Sequence, residues 1–382
     1  MKKILAMMLM MASVLFFACS DDDDDTLTPE QAKAELEQVS TDMSNYMTEM
    51  ESADGMEALN ALMAKPYPFT EVKSTNYSSI LKDIQKYLLP ANYVELKSKE
   101  KSSAEVDRFD FDHWAGTYEW DAEHEMWVPD FGNPADKIII HYPTEGSTTN
   151  NATLTIHTYE DTEITETDDY GTYTWYEPTH IVADLYVGDV KVVDITMNAT
   201  WYTTGELAGE PSDMDVSVYL IPFEFTMDFN HAEYSAGVSA AILYENSQIF
   251  SAGLSALFGT GGMDDTPETI SGYLQMLKVK IDASLNVKDI EEIMEAMESE
   301  TPPYSTIEEL VAAINGEFDA YVTVDGVKAA DIELAYDETT QTLDLVFVYS
   351  DGSTESAQPY FSNFANSIDT FFSSLDNYYS NW

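Results

Sequence analysis

The chain has 382 residues, enough to bury a sizeable core in one large domain or two smaller ones. At 44% hydrophobic it is a folding sequence, which excludes a wholly disordered chain. Its 70 acidic residues against 17 basic give a formal net charge of −53, a field that repels phosphate backbones and argues against a nucleic-acid partner.

The first feature in chain order is a leader. Lys2 and Lys3 precede an apolar run from Ile4 to Ala18, shorter than the roughly 20 residues a spanning helix needs. The run ends in Leu15, Phe16, Phe17, Ala18 and Cys19, the single cysteine, so no disulfide can form within one chain. This segment resembles the lipobox of bacterial lipoproteins, with Phe16 and Phe17 bulkier than the commonest pattern. The resemblance implies cleavage before Cys19 and fatty acylation of its thiol. One fatty chain holds only reversibly, at roughly 0.8 kcal/mol per buried methylene, whereas two or three make a lasting anchor.

Ser20, Asp21, Asp22, Asp23, Asp24 and Asp25 follow. By charge alone such a run repels itself and stays extended as a solvated spacer. Cysteine, serine and an acidic run together also resemble the export tether of Bacteroidota-type surface lipoproteins, which implies the outer membrane with the body facing the cell exterior. Asp25-Thr26-Leu27 is similar to the short O-glycosylation motif of the same group. The expected divisions are a signal peptide over 1–18, an acylated tether over 19–27, a helical segment over 28–108 and a β-rich α+β domain over 109–382.

Thr28-Pro29-Glu30-Gln31 predicts a helix start, with a capping threonine, proline at the first position and glutamine three residues after the cap. Ala32, Leu36, Val39, Met43, Tyr46 or Met47, and Met50 then recur at steps of four and three, a seam along one helical face. Asp54-Gly55 breaks the run. A second helix is expected around Met56 to Met63 and a third around Ile80 to Leu88.

From Phe109 the pattern turns to period two, rich in β-branched and aromatic residues. Thr117 to Trp120 and Met126 to Val128 flank a polar turn and predict a hairpin. Further strands are expected at Lys137–Tyr142, Ala152–Tyr159, Tyr170–Tyr176, Ile181–Val187, Lys191–Tyr202, Val216–Asp228, Ala236–Tyr244 and Ile249–Leu257. Val187 to Ile195 echoes Val324 to Ile332, with identical valines at both turn flanks and an identical lysine, aspartate and isoleucine. Duplicated sheet modules and independent hairpin chemistry both explain this echo, and a looser copy runs through Tyr244 to Ala252. Helices are expected again at Val287–Met297, Ser305–Ile314 and Tyr360–Tyr379, with hairpin strands at Tyr321–Leu334 and Leu343–Tyr349 between the last two. The expected fold is α+β: a large curved antiparallel sheet, open or a half-barrel meander, packed by helices, with an N-terminal helical segment.

No motif specifies catalysis. His124-Glu125-Met126-Trp127-Val128 begins like a zinc-protease helix but carries Val128 where the second histidine must stand. Gly237-Val238-Ser239-Ala240-Ala241 resembles a nucleophile elbow, yet falls inside an alternating strand. Asp110, Asp112, His113, Glu119, Asp121, Glu123, His124 and Glu125 form a dense group from which a calcium, zinc or glycosidase site could be drawn, or simply a solvated strand and turn.

Trp120, Trp127, Trp175 and Trp201 are the candidate ligand surface, since sugar rings stack on exposed aromatic faces; aromatics equally fill sheet cores. No cofactor or metal ligand set is expected. The expected function is a lipid-anchored, noncatalytic binding or structural lipoprotein. Its expected partners are the membrane, through the anchor, and a glycan, a hydrophobic ligand or a surface-assembly protein. The alternatives are a glycan-binding protein or glycoside hydrolase, and a subunit of a surface assembly or adhesin.

Overall fold

The computed structural model describes residues 26–66, 68, 108–168, 171–205, 207–260, 266–297, 302–337 and 342–360. The leader, Cys19, the acidic tether through Asp25, the helix expected near Ile80 to Leu88 and the one expected beyond Tyr360 lie outside these residues. The described residues carry sixteen strands of a large open antiparallel sheet and a few helices, including an N-terminal one. The chain forms two compact units. The described part of the central unit spans 48–230 and 244–246; that of the C-terminal unit spans 26–47, 231–243 and 247–360.

Helix α1 (Pro29–Glu51) begins as its sequence requires. The Thr28 amide donates to Gln31 Oε1 at 3.1 Å, and the Gln31 amide returns a bond to Thr28 Oγ1 at 3.4 Å, a reciprocal capping box. The seam residues Ala32, Leu36, Val39, Met43, Met47 and Met50 are all buried.

In the central unit, α2 (Asp54–Met63) and the short α3 (Phe111–Trp114) precede eight strands. These are β1 (Gly116–Asp121), β2 (Met126–Phe131), β3 (Ile138–Tyr142), β4 (Ala152–Asp168), β5 (Gly171–Val187), β6 (Val190–Trp201), β7 (Pro211–Leu220) and β8 (Phe223–Ala232). They lie in the order β8-β7-β6-β5-β4-β3-β1-β2, antiparallel apart from β1 and β3, which run parallel. Strand alternation sends Ile138, Ile140, Tyr142, Leu154, Ile156, Ala183, Leu185 and Ile195 into one core. Helix α2 covers that core: the Tyr142 hydroxyl donates to the Ala58 carbonyl at 2.9 Å, and Gly55 lies so close to β6 that a Cβ there would stand 2.6 Å from the Val192 oxygen.

In the C-terminal unit, β9 (Ser235–Tyr244), β10 (Ser247–Phe258), β11 (Pro267–Met276) and β12 (Val279–Asn286) precede α4 (Val287–Met297) and α5 (Ile307–Gly316). Strands β13 (Phe318–Val324), β14 (Val327–Asp337), β15 (Thr342–Tyr349) and β16 (Thr354–Ser356) follow, all pairing in chain order. Helix α4 packs on β11, and α5 packs on β13 and β14. The Asn315 side-chain amide grips the Leu334 backbone at both ends, at 2.9 and 3.0 Å, and so fixes α5 to β14. No helix among the described residues is long and apolar enough to cross a membrane.

The two echoed segments are the same hairpin. Val187 faces Val190 and Val324 faces Val327 across the turn, and in each the register then slips by one residue. Lys191 and Val192 together oppose Tyr186, as Lys328 and Ala329 oppose Thr323. The bulge explains the shared lysine and aspartate and the paired apolar residues between them. It turns two consecutive side chains inward, Val192 with Val193 and Ala329 with Ala330, all buried. It also brings lysine and aspartate three apart onto one face, which a regular strand forbids: Lys191 to Asp194 is 2.8 Å and Lys328 to Asp331 is 2.7 Å. Even the exchange of Gly188-Asp189 for Asp325-Gly326 has a cause. In the first turn only the glycine is left-handed, at φ 59°; in the second both residues are, at 51° and 81°.

Several expectations need correction. Val216 to Asp228 is not one strand, because Ile221 and Pro222 form a turn between β7 and β8. The strands expected over Tyr170–Tyr176 and Ile181–Val187 are one strand, β5, continuous from Gly171 with an irregularity where it faces Glu160 and Asp161; Tyr170 lies outside the described residues. Strands β11 and β12 were not anticipated.

The contact at Gly55 yields the first prediction. Gly55→Ala is expected to destabilise the protein by about 1–3 kcal/mol, the usual cost of overpacking a site whose neighbour is backbone. Urea unfolding checks this, and an unchanged midpoint would show that α2 can shift off β6.

Candidate functional site

None of the four tryptophans stands as a free stacking platform. Trp127 is buried and its indole N–H donates to the Pro66 carbonyl at 2.6 Å. Trp201 is buried too, donating to Pro178 at 2.8 Å. Trp175 is partly buried against the core and lies across Gly209, where a Cβ would stand 2.4 Å from its Cζ2. Trp120 packs edge-on against Trp127, with ring centroids 5.1 Å apart.

Lys65 claims the remaining face of Trp120. Its ammonium lies 5.5 Å from the centroids of both Trp120 and Tyr142, a cation held between two aromatic rings. The same nitrogen donates to the Ala61 carbonyl at 2.8 Å and to Pro143 at 3.3 Å, satisfying the end of α2. Burial pulls the Lys65 pKa below its ordinary value. Here the aromatic cage is already filled by the chain's own lysine.

The carboxylates and histidines of residues 110–125 do not converge. Asp110 caps α3 by accepting from the His113 amide at 3.1 Å. Asp121 organises the β1–β2 turn: it accepts from the amides of Glu123 and His124, and its other oxygen lies 2.7 Å from His124 Nδ1. Those bonds hold its carboxyl below the usual range, the His124 side chain most strongly. Glu119 faces elsewhere, toward Asn150 at 2.9 Å. Among the described residues no group of three or more histidine, cysteine, aspartate or glutamate side chains is placed to hold a metal ion. His124 lies in a turn rather than a helix, and Ser239 lies within β9, as its alternating pattern predicts.

A different set of residues is brought together on the C-terminal unit. Register places Gly253, Tyr273, Asp282, Tyr321 and Asp331 side by side across β10 to β14, one row on one face. The Tyr273 ring lies over Gly253, where a Cβ would come within 2.6 Å of its Cε1, so glycine makes room for the aromatic. Lys280 pairs with Asp282 and stands 5.3 Å above the Tyr273 ring; Lys328 pairs with Asp331 and stands 5.8 Å above Tyr321. Asp282 is buried, and Ser271 and Ser251 beside the row are buried as well. Burial pushes the Asp282 carboxyl above its ordinary value, and Lys280 pulls it only part of the way back.

Chemically the row holds tyrosine rings and lysine–aspartate pairs in fixed positions on one face. The signal for it was present in sequence. Lys280, Asp282, Ser284 and Asn286 alternate with Val279, Ile281, Ala283 and Leu285, which marks a strand with one polar face.

No family model and no curated protein matches the chain. A crystal structure of a porin-like protein from Bacteroides vulgatus matches with 8% identity, over 52% of this chain and 96% of that one, at a TM-score of 0.19. A likeness of that degree carries no argument about fold or function.

Asp282 gives a prediction of definite sign. A carboxyl whose folded pKa is raised destabilises the fold when ionised; the penalty is complete above the folded pKa and vanishes as pH falls to the unfolded value, about 3.9. Asp282→Asn is therefore expected to raise the urea midpoint at pH 7, with the gain shrinking toward zero near pH 4. A variant less stable at pH 7 would mean that the Lys280 ion pair outweighs the cost of burial.

Proposed function

We propose that the chain is a lipid-anchored extracytoplasmic lipoprotein, displayed on the outer membrane toward the cell exterior, with a noncatalytic binding or structural role. The observation that carries this reading is the order of Lys2-Lys3, an apolar run, Ala18-Cys19 and Ser20 followed by aspartates, directly before the start of the described body at Thr26. A positive end, a short apolar stretch and a small residue before cysteine suit export and acylation, and the acidic run suits a spacer that stays in water.

The binding part of the proposal rests on the C-terminal unit. Its Tyr273–Asp282–Tyr321 row is a polar face of fixed geometry, and we read it as the contact face. The same reading takes the strands as curved, in the manner of a half-barrel, with the helices on the apolar side. Helix α2 on β6 and β7, and α5 on β13 and β14, support that arrangement. Glycan recognition is the variant of this function in which the tyrosines, rather than the tryptophans, would meet the sugar.

Mass spectrometry of the mature protein tests the anchor. The expected product begins at Cys19 and carries fatty acyl mass, and Cys19→Ala is expected to shift the protein from the membrane to the soluble fraction. Protease treatment of intact cells should then remove the wild-type body. A bare thiol or an uncleaved leader refutes the anchor, and a protected body refutes outward display.

A further inference from the structure

The chain enters the C-terminal unit without slack. Thr26 forms a parallel bridge with Lys328, and the Leu27 amide donates to the Lys328 carbonyl at 3.1 Å. The Ser350 hydroxyl closes on the Leu27 carbonyl at 3.4 Å. The capping box then turns the chain into α1 at once, and the first turns of that helix are tied down on both flanks. Lys33 meets Glu355 at 2.8 Å and lies 5.3 Å over the Tyr349 ring, while Glu35 pairs with Lys278. Ala32 is fully buried between these ties.

All these contacts gather at one end of the unit. The Asp325-Gly326 turn, Lys278 and the turn at Ser350 to Ser353 lie together there, the Asp325 amide donating to the Lys278 carbonyl at 2.8 Å. The opposite end carries the β12-to-β13 connection and the end of β14 paired with the start of β15, where Asp337 faces Thr342.

We propose that the end formed by Lys278, Asp325, Gly326 and Ser350 to Ser353 faces the lipid surface, and that the Asp337–Thr342 end points away from it. This rests on the anchor proposed above. Cys19 is seven residues before Thr26, and seven extended residues reach at most about 25 Å at ~3.6 Å each. Strand β14 alone, from Val327 to Asp337, rises about 35 Å at ~3.3 Å per residue. A tether shorter than the strand it hangs from, clamped at its very first described residue, cannot present both ends to the membrane equally. Adhesion is not what holds this end down. Lys33, Lys278 and Lys328 are all spent on Glu355, Glu35 and Asp331, and the neighbouring Asp325 and Asp351 are acidic. The covalent reach of the tether sets the orientation, with a lipid bilayer of any headgroup as the facing surface.

The single native cysteine makes the test clean, because acylation leaves no other thiol to label. Ser353→Cys at the near end and Leu343→Cys at the far end are both exposed positions for a donor dye. The full-length lipidated protein is reconstituted into phosphatidylcholine vesicles carrying an acceptor dye on a fraction of the headgroups. With about 20 Å of strand between the two sites, from Leu343 along β15 to Tyr349 beside Ser353, energy transfer is expected to be about twofold or more greater from position 353 than from 343. Inserting about twenty Gly/Ser residues between Asp25 and Thr26 should erase the difference, since such a linker behaves as a flexible coil. Equal transfer, or greater transfer from 343, overturns the orientation while leaving the anchor intact. Protein that fails to float with the vesicles overturns both.

Discussion

One extra residue in a strand organises both units. A regular β-strand puts side chains i and i+3 on opposite faces, so a lysine and an aspartate three apart cannot meet. At Lys191–Asp194 and Lys328–Asp331 they do meet, because Val192 and Ala329 are inserted into the ladder. The same insertion sends two neighbouring apolar side chains inward and increases the local twist. The repeated pattern of valine, turn, valine, lysine, two small apolar residues, aspartate and isoleucine is thus the sequence of a bulged hairpin. The identical lysine and aspartate follow from it, because only the inserted residue lets them meet.

The backbone beside each bulge then captures a third segment. At the central hairpin the Val192 carbonyl accepts from Ile221, the first residue of the next turn, at 3.1 Å, and α2 approaches the same oxygen through Gly55. At the C-terminal hairpin the Lys328 carbonyl accepts from Leu27, the point at which the chain enters the fold. A carbonyl left outside the ladder needs a donor. In one unit that need is met by the following hairpin and in the other by the start of the described chain. One local irregularity therefore serves two different tertiary purposes.

Much of this was legible in the residues. The α1 seam, its capping box and the span of α4 follow from period and caps alone, signals that depend on local geometry. The echoed hairpins were also visible, but their bulge was not. Reading it requires asking why Val192-Val193 and Ala329-Ala330 place apolar residues side by side in otherwise alternating strands. The tryptophans mark the limit of sequence reasoning about sites. Trp120 is compatible with an exposed sugar platform until Lys65, 55 positions earlier and at the end of a helix, is seen to lie over its ring. The row of Tyr273, Asp282 and Tyr321 is likewise a product of register, since pairing across β11, β12 and β13 joins residues 48 positions apart.

The scarcity of cations gives these pairings their weight. With 17 basic residues against 70 acidic, self-repulsion works against any compact state, and the chain cannot neutralise itself by numbers. Among the described residues, several cations stand where segments join. Lys33 and Lys278 hold α1 to the strands, Lys65 closes α2 over two aromatic rings, and the single arginine, Arg108, binds Asp161 with its guanidinium 5.3 Å from the Tyr176 ring. Exposed ion pairs of this kind contribute little individually, about 0–1 kcal/mol each. Set among so many carboxylates, each also removes a local repulsion at a junction. Elsewhere the repulsion remains: Asp215 faces Asp228 across β7 and β8, and partial burial together with that neighbour raises its pKa. Such a pair is tolerated where strands are already fixed by their hydrogen bonds. At the entry of α1, by contrast, each carboxylate named has a cation beside it, Glu355 with Lys33 and Glu35 with Lys278, and that contrast ties the placement of charge to the architecture.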